Sequence, residues 1–228
     1  MNQFQRKILL SEDKLNKTAI QQTQKQARII KAEQAIFIRK VDSLIVEIST
    51  NPERKAAAIS ELNNLVREAF DKLNKEQISA IDQHLRFIYN KATEDIGDAI
   101  GVNFSVVSPQ QFELLKEANW GGKSYSSRLY SNNEAIAKRL NDDVRRLVLE
   151  NRKPSEIKAA IARDFDISVN SADRLVRTET ARFFSQASND TYKAAGIEQM
   201  EFKAEHDACE VCQSKDKQLF RVGGPTPV

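Results

Sequence analysis

Apolar residues in the first half of the chain recur at helical spacing. Between about residues 15 and 49 there is no Pro or Gly, and apolar side chains fall at alternating intervals of three and four. This spacing is typical of a helix with a narrow apolar stripe. Pro52 cannot continue that helix but suits the first turn of a second one. The stripe then resumes to about residue 100, with a soft break expected near Asn74. Two such stripes in succession predict an antiparallel helical hairpin or a three-helix bundle.

The second half of the chain predicts shorter helices and a terminal hairpin. Ser108 and Pro109 open a short helix that runs to Glu117, because a capping residue followed by proline favours a helix start. Three further helices are predicted at 132–151, at 154–165 and from a cap at Ser168 or Asn170 to residue 195. Gly196 suits the end of the last helix because glycine readily adopts positive φ. The alternating segments 197–203 and 218–222 are predicted to pair as a small β-hairpin.

These elements predict a mainly α protein with a small β-hairpin at its end, an α+β arrangement. The predicted divisions are an N-terminal long-helix region at 1–107, a second domain at 108–222 and a linker-like, truncated tail at 223–228. Charged residues make up 29% of the chain, against only 7 Gly and 5 Pro, which agrees with long solvated helices. No apolar run approaches the roughly 20 residues that cross a bilayer, so we expect a cytosolic protein or one assembled from the cytosol.

Positive charge is concentrated in two stretches. Residues 1–40 carry 9 Lys/Arg against 3 Asp/Glu, and residues 123–163 carry 10 against 5. A charge run on a helix is most often its solvated face, but such a stretch can also neutralise DNA phosphates. The candidates for DNA contact in the second stretch are Lys138, Arg139, Arg145, Arg146, Arg152 and Lys153.

The run Arg177-Thr178-Glu179 is the first group with chemical potential. Arg177 follows Leu175 and Val176, which predicts apolar surroundings and a need for a partner of opposite charge. The candidate pairings join Arg177 or Glu179 to Asp207 or to a strand carbonyl, and we expect Arg177→Ala to lower the melting temperature. Binding of a nucleotide phosphate and ribose is the alternative, but three residues favour a structural ion pair.

The segment from His206 to Cys212 is the second such group. Cys209 and Cys212 have the spacing of a metal knuckle, and His206 lies three residues before the first thiol. A closed zinc site needs four ligands, and the chain has no other Cys. Three alternatives stay open: a reduced, metal-free pair in a tight turn, a structural zinc site, and a redox dithiol. No catalytic set of residues is recognisable, so we expect no enzymatic activity and no cofactor beyond such a zinc ion.

An ordered set of short motifs resembles a known family. The motifs are residues 120–129 beginning with Trp120, the helix 135–148, residues 175–181 with the Arg-Thr-Glu run, residues 192–197 with Gly196, and residues 207–212 with Asp207 and both cysteines. In this order they resemble the head morphogenesis domain of Mu F-type minor head proteins of tailed phages. The resemblance covers about 100 residues, and it marks Trp120, Arg177, Thr178, Glu179, Gly196 and Asp207 as a structural signature.

The resemblance implies a minor capsid protein of the virion. Such a protein assembles in the host cytoplasm, lies in the capsid interior near the portal, contacts double-stranded DNA and assists genome ejection. Its partners would be the portal protein and the major capsid or scaffolding protein, and no membrane segment is expected. One alternative is a phage-delivered effector enzyme resembling an ADP-ribosyl transferase. A cytosolic DNA-compaction protein is another, although it would leave the cysteine turn unexplained.

Overall fold

The fold is mainly α-helical, as the sequence predicts. A computed structural model of the chain describes residues 3–103, 108–118, 122–204 and 207–224. Six α-helices and two strands lie in this part of the chain, and their bounds in chain order are α1 Gln3–Thr50, α2 Lys55–Ile100, α3 Pro109–Glu117, α4 Tyr125–Leu149, α5 Pro154–Ala194, β1 Gln199–Glu201, α6 Glu210–Gln213 and β2 Leu219–Arg221. Among the described helices none combines the length and hydropathy needed to cross a bilayer.

The predicted break between the first two helices is confirmed, but the soft break at Asn74 is wrong. A short 3₁₀ turn at Pro52–Arg54 separates α1 from α2, because proline cannot donate the backbone hydrogen bond that would continue α1. By contrast, α2 runs unbroken past Asn74. The Asn74 side chain is buried and accepts a hydrogen bond of 2.7 Å from Asn133 of α4. Its polar group is thus satisfied inside the protein and does not interrupt the helix.

The helices of the second half are longer than predicted. Helix α4 begins at Tyr125 instead of residue 132, with Ser124 as its cap accepting a hydrogen bond from the backbone of Ser127. The two helices predicted at 154–165 and 168–195 form the single helix α5. Ser168 does not cap a helix, since it is buried and its hydroxyl donates to Asn133 at 3.3 Å. Asn170 is exposed within α5.

The chain forms two compact units that interleave segments of its sequence. One unit comprises residues 18–84 and 109–179, and the other comprises 1–17, 85–108 and 180–228. Each unit therefore takes segments from both sides of residue 107, and the division at 107/108 stays a prediction about sequence domains. The division between the units falls inside α1, α2 and α5, each of which is continuous there.

The unit formed by 18–84 and 109–179 contains a large apolar core. Phe165 of α5 lies between Phe37 of α1 and Phe70 of α2, with ring centroids 5.9 and 5.7 Å apart. All three rings are almost fully buried. Around them pack the apolar stripes of α1, α2, α4 and α5, which include Ile30, Val41, Leu73, Leu140, Val144 and Ile161.

The other unit contains the predicted β-hairpin. Helix α5 ends before Gly196, whose φ of 72° is the positive value expected there. Strands β1 and β2 pair antiparallel with Met200 opposite Phe220, and the rings of Phe202 and Phe220 meet edge to face at 6.1 Å. The hairpin is confirmed, although each strand is shorter than the segment predicted for it.

Candidate functional site

One signature residue, Glu179, belongs to a buried ion pair. Glu179 of α5 is fully buried, with a side chain 0% exposed. Its carboxylate accepts a hydrogen bond from the Arg128 guanidinium, which lies near the start of α4. A carboxylate removed from water needs such a partner, because an isolated buried charge is strongly unfavourable. Arg128 thus supplies the opposite charge that the sequence required for this run.

The expectation that Arg177 lies in apolar surroundings is wrong. Its side chain is 62% exposed and pairs at 3.0 Å with Asp173, one helical turn earlier in α5. Around Arg177, the buried positions of α5 are residues 172, 175, 176, 179, 180, 183 and 187. Arg177 and Thr178 fall on the opposite side of that stripe and are exposed. Chain neighbours such as Leu175 and Val176 therefore did not define the environment of Arg177, since residues two apart do not share a helix face.

The structure describes only some of the remaining signature residues and candidate metal ligands. Gly196 ends α5, and Asp207 is exposed in the connection between β1 and β2. Trp120 and His206 lie outside the described residues. The sequence predicted Asp207 as a partner of Arg177 or Glu179. In the contacts described above, Glu179 instead pairs with Arg128, and Arg177 pairs with Asp173.

The two cysteines lie together in the connection between β1 and β2. Cys209 is exposed and precedes the first residue of α6, while Cys212 lies within that short helix. The backbone N–H and the side chain of Cys212 lie close to the Cys209 sulfur and lower the pKa of Cys209. The same contact with Cys209 raises the pKa of Cys212. The pair therefore consists of one thiol that ionises more readily and one that ionises less readily than a free cysteine.

A structural zinc site is incomplete within the described residues. Cys209 and Cys212 supply two sulfur ligands, whereas structural zinc takes four ligands. No group of three or more metal-ligating side chains is present in the part of the chain that the structure describes. A zinc site would consequently need ligands from elsewhere, and the assignment of His206 stays a prediction.

The six candidate DNA-contact residues divide into two groups. Three of them are in ion pairs: Arg139 with Asp164 at 3.0 Å, Arg146 with Asp143 at 3.2 Å and Arg152 with Glu156 at 2.8 Å. The other three, Lys138, Arg145 and Lys153, are exposed, and no ion pair among the described residues includes them. We call Lys138, Arg145 and Lys153 the basic triad.

Asp164 explains why part of the basic stretch is neutralised. It is fully buried in α5, and burial raises the pKa of its carboxyl group. Arg139 and Arg163 approach it at 3.0 and 3.6 Å and oppose that shift. Arg139 and Arg163 thus stabilise a buried acid, so their role is at least partly structural. The basic triad has no such internal role in the described contacts.

The sequence reasoning missed Arg128 and Asn133 as organising residues. Arg128 lies inside the first motif of the resemblance, but its partner Glu179 is 51 residues away, and no local spacing connects them. Asn133 bonds to residues 56, 59 and 35 positions away. Only the isolated position of an Asn within the apolar stripe of α4 could have indicated a buried polar group.

Comparison with known proteins adds no relative. No protein-family model matches the chain, and neither a curated protein nor a solved structure with significant similarity was found. The resemblance to phage minor head proteins therefore stays a prediction from the motifs.

Proposed function

We propose that this chain is a minor capsid protein for head morphogenesis in a tailed bacteriophage. It would bind the portal inside the procapsid, contact the packaged DNA and have no enzymatic activity. The observation that carries the proposal is the buried pair of Arg128 and Glu179. This pair joins the first motif of the resemblance, at 120–129, to the Arg-Thr-Glu motif, at 175–181. Motifs that belong to one structural signature are expected to meet in this way.

The placement of the Arg-Thr-Glu run supports assembly over catalysis. Glu179 is fully buried and engaged by Arg128, while Arg177 and Thr178 point to the surface. The three residues therefore do not converge on a common point at which a nucleotide could be held. An ADP-ribosyl transferase-like site built on Arg177 and Glu179 would require such convergence.

The long helices supply extended surfaces for a partner protein. With 48 residues, α1 is about 72 Å long at 1.5 Å per residue. Its surface includes the exposed apolar side chains of Leu10, Ile20 and Val46. We assign portal and capsid docking to these helices, since helical faces with apolar anchors are a common mode of protein recognition.

The basic triad is the proposed contact with DNA. Glu134 and Asp142 are also exposed on α4, so the helix is not uniformly positive, and we expect a weak, sequence-independent interaction with phosphates. Three phosphate contacts predict a slope of about −2.7 for the logarithm of the binding constant against the logarithm of salt concentration.

The test combines DNA binding with portal assembly. We expect the full chain to bind duplex DNA at low salt and to co-purify with the portal protein of the same genome. Neutralising the basic triad with Lys138→Gln, Arg145→Gln and Lys153→Gln should make the salt slope shallower by nearly three units. A matched control neutralises three exposed residues elsewhere, Lys75, Arg174 and Lys203, and should change the slope by less than about one unit.

Two results separate the proposal from its alternatives. Protein that neither binds DNA at low salt nor assembles with the portal would rule the proposal out. DNA binding that is sensitive to the triad, without portal assembly, would instead favour a DNA-compaction protein.

A further inference from the structure

The connection between β1 and β2 presents two thiols side by side at the surface. Cys209 is exposed and has extended backbone angles of φ −63° and ψ 163°, while Cys212 is partly exposed one turn later in α6. Cys209 is the N-cap residue of α6 and Cys212 is the third residue of that helix, which are the two positions whose side chains face each other in a capping box. The two side chains are close enough for each to shift the pKa of the other. The sulfur atoms are thus already neighbours in the reduced protein.

Backbone hydrogen bonds hold this turn in a defined conformation. The N–H groups of Gln213 and Lys215 donate to the carbonyls of Cys209 and Cys212 at 2.9 and 3.1 Å. The Gln213 side chain also donates to the carbonyl of Ala208 at 2.7 Å. These bonds fix the backbone positions of the two cysteines.

The ends of the connection are fixed as well. Phe202 donates its N–H to the carbonyl of Gln218 at 2.9 Å and accepts from Lys217 at 2.7 Å. The Asp216 carboxylate accepts a hydrogen bond of 2.9 Å from the backbone of Ala204. These contacts attach the turn to the paired strands, so the backbone on both sides of the two cysteines is held in place.

We propose that Cys209 and Cys212 form a reversible disulfide when the protein meets a low-molecular-weight disulfide such as oxidised glutathione. The juxtaposed thiols on the turn between β1 and β2 are the modification site. This inference goes beyond the proposed function, because it involves neither DNA nor a portal protein.

The reaction proceeds through a mixed disulfide. The Cys209 thiolate attacks one sulfur of oxidised glutathione, and the other half leaves as a glutathione thiolate. The Cys212 thiol then gives up its proton to the solvent and attacks the Cys209 sulfur, which releases the second glutathione. Two electrons pass from the protein dithiol to the glutathione disulfide, giving one internal disulfide and two glutathione thiols.

The structure assigns the order of attack to the two cysteines. Cys209 is exposed and is the thiol that a disulfide in solution reaches more easily. Cys212 is only partly exposed and lies within the helical turn. Cys209 is therefore the attacking sulfur and Cys212 the resolving one.

The experiment follows free thiols and glutathione adducts on the full chain. Reduced protein is incubated with oxidised glutathione, quenched with acid, alkylated with a maleimide and weighed by intact mass spectrometry. The wild type, with two cysteines per chain, should change from two free thiols to none, without a retained adduct, and dithiothreitol should restore both. Cys212→Ser should retain glutathione on Cys209. Cys209→Ser should react several-fold more slowly than Cys212→Ser, because its remaining thiol is less exposed. The double variant Cys209→Ser/Cys212→Ser is the blank.

Three results would overturn the proposal. The wild type could keep a glutathione adduct as fully as Cys212→Ser, which would mean that Cys212 does not resolve it. Disulfide-linked dimers could form in place of the internal bond. Finally, the purified chain could contain bound zinc by elemental analysis and keep both thiols unoxidised, which would identify a metal site. None of these results bears on DNA binding or portal assembly, so failure here is distinct from failure of the proposed function.

Discussion

Removing Arg128 should strongly destabilise the unit that contains its buried partner. Arg128→Ala leaves the Glu179 carboxylate buried without the guanidinium that neutralises it. Breaking a buried ion pair from one side typically reduces the free energy of unfolding by about 3–5 kcal/mol. Because 27% of the Arg128 side chain reaches solvent, water partly replaces it, and we expect the lower end, about 3 kcal/mol.

Urea denaturation followed by circular dichroism provides the measurement. At a slope of about 2–3 kcal/mol per molar urea, the midpoint for Arg128→Ala should fall by roughly 1–1.5 M. The control is Arg177→Ala, which removes an exposed pair within α5 and should reduce the free energy of unfolding by less than about 0.5 kcal/mol. This expectation replaces the larger effect that the sequence alone predicted for Arg177.

A double variant tests whether the buried charge is the cause. Arg128→Met/Glu179→Gln removes both charges and should recover at least half of the stability lost in Arg128→Ala, because no uncompensated carboxylate remains. The reasoning would be refuted if Arg128→Ala and Arg177→Ala had the same midpoint, or if the double variant were less stable than Arg128→Ala.

Two further predictions concern acid stability and the end of α5. Burial, with Lys25 nearby, lowers the pKa of His84 to about 4, so between pH 6.5 and 4 the unfolded chain binds a proton that the folded chain does not. Acidification through this window should therefore destabilise the wild type by about 2–3 kcal/mol more than His84→Leu. Urea denaturation at pH 7 and pH 4.5 measures this difference, and equal losses of unfolding free energy in the two proteins would contradict the prediction. Gly196 has a φ of 72° and no atom within 4 Å of an added Cβ, so Gly196→Ala should cost only backbone strain of about 1 kcal/mol and lower the melting temperature by about 2–4 °C. An unchanged melting temperature in calorimetry would exclude that strain.

Helix boundaries set by backbone chemistry could be predicted from the sequence. Pro52 ends the first helix because it lacks an N–H group. Ser108 precedes α3, whose first residue is Pro109, and Gly196 ends α5 with positive φ. Each signal depends on the residue itself and its immediate neighbours. Tertiary packing has little influence on such positions, which explains why these predictions of helix boundaries are confirmed.

Boundaries inferred from polar residues within a helix were wrong for a physical reason. Asn74 and Ser168 favour caps and turns only when their side chains compete for local backbone groups. In this protein both side chains instead bond to Asn133 in the interior. The partner of Glu179 could not be predicted from the sequence either. Arg128 belongs to another helix 51 residues away, and no periodic sequence pattern connects the two positions.

The polar contacts of Asn133 restrict how its three helices can align. Its amide nitrogen donates to Asn74 and Gln77 of α2, at 2.7 and 2.9 Å, and its oxygen accepts from Ser168 of α5. Apolar stripes alone would tolerate a slip of one helical turn, about 5.4 Å, since one Leu or Ile replaces another. A slipped alignment would bury these amides against hydrocarbon. Asn133 therefore selects a single register among helices whose repetitive stripes would otherwise permit several, much as a lone buried Asn does in coiled coils.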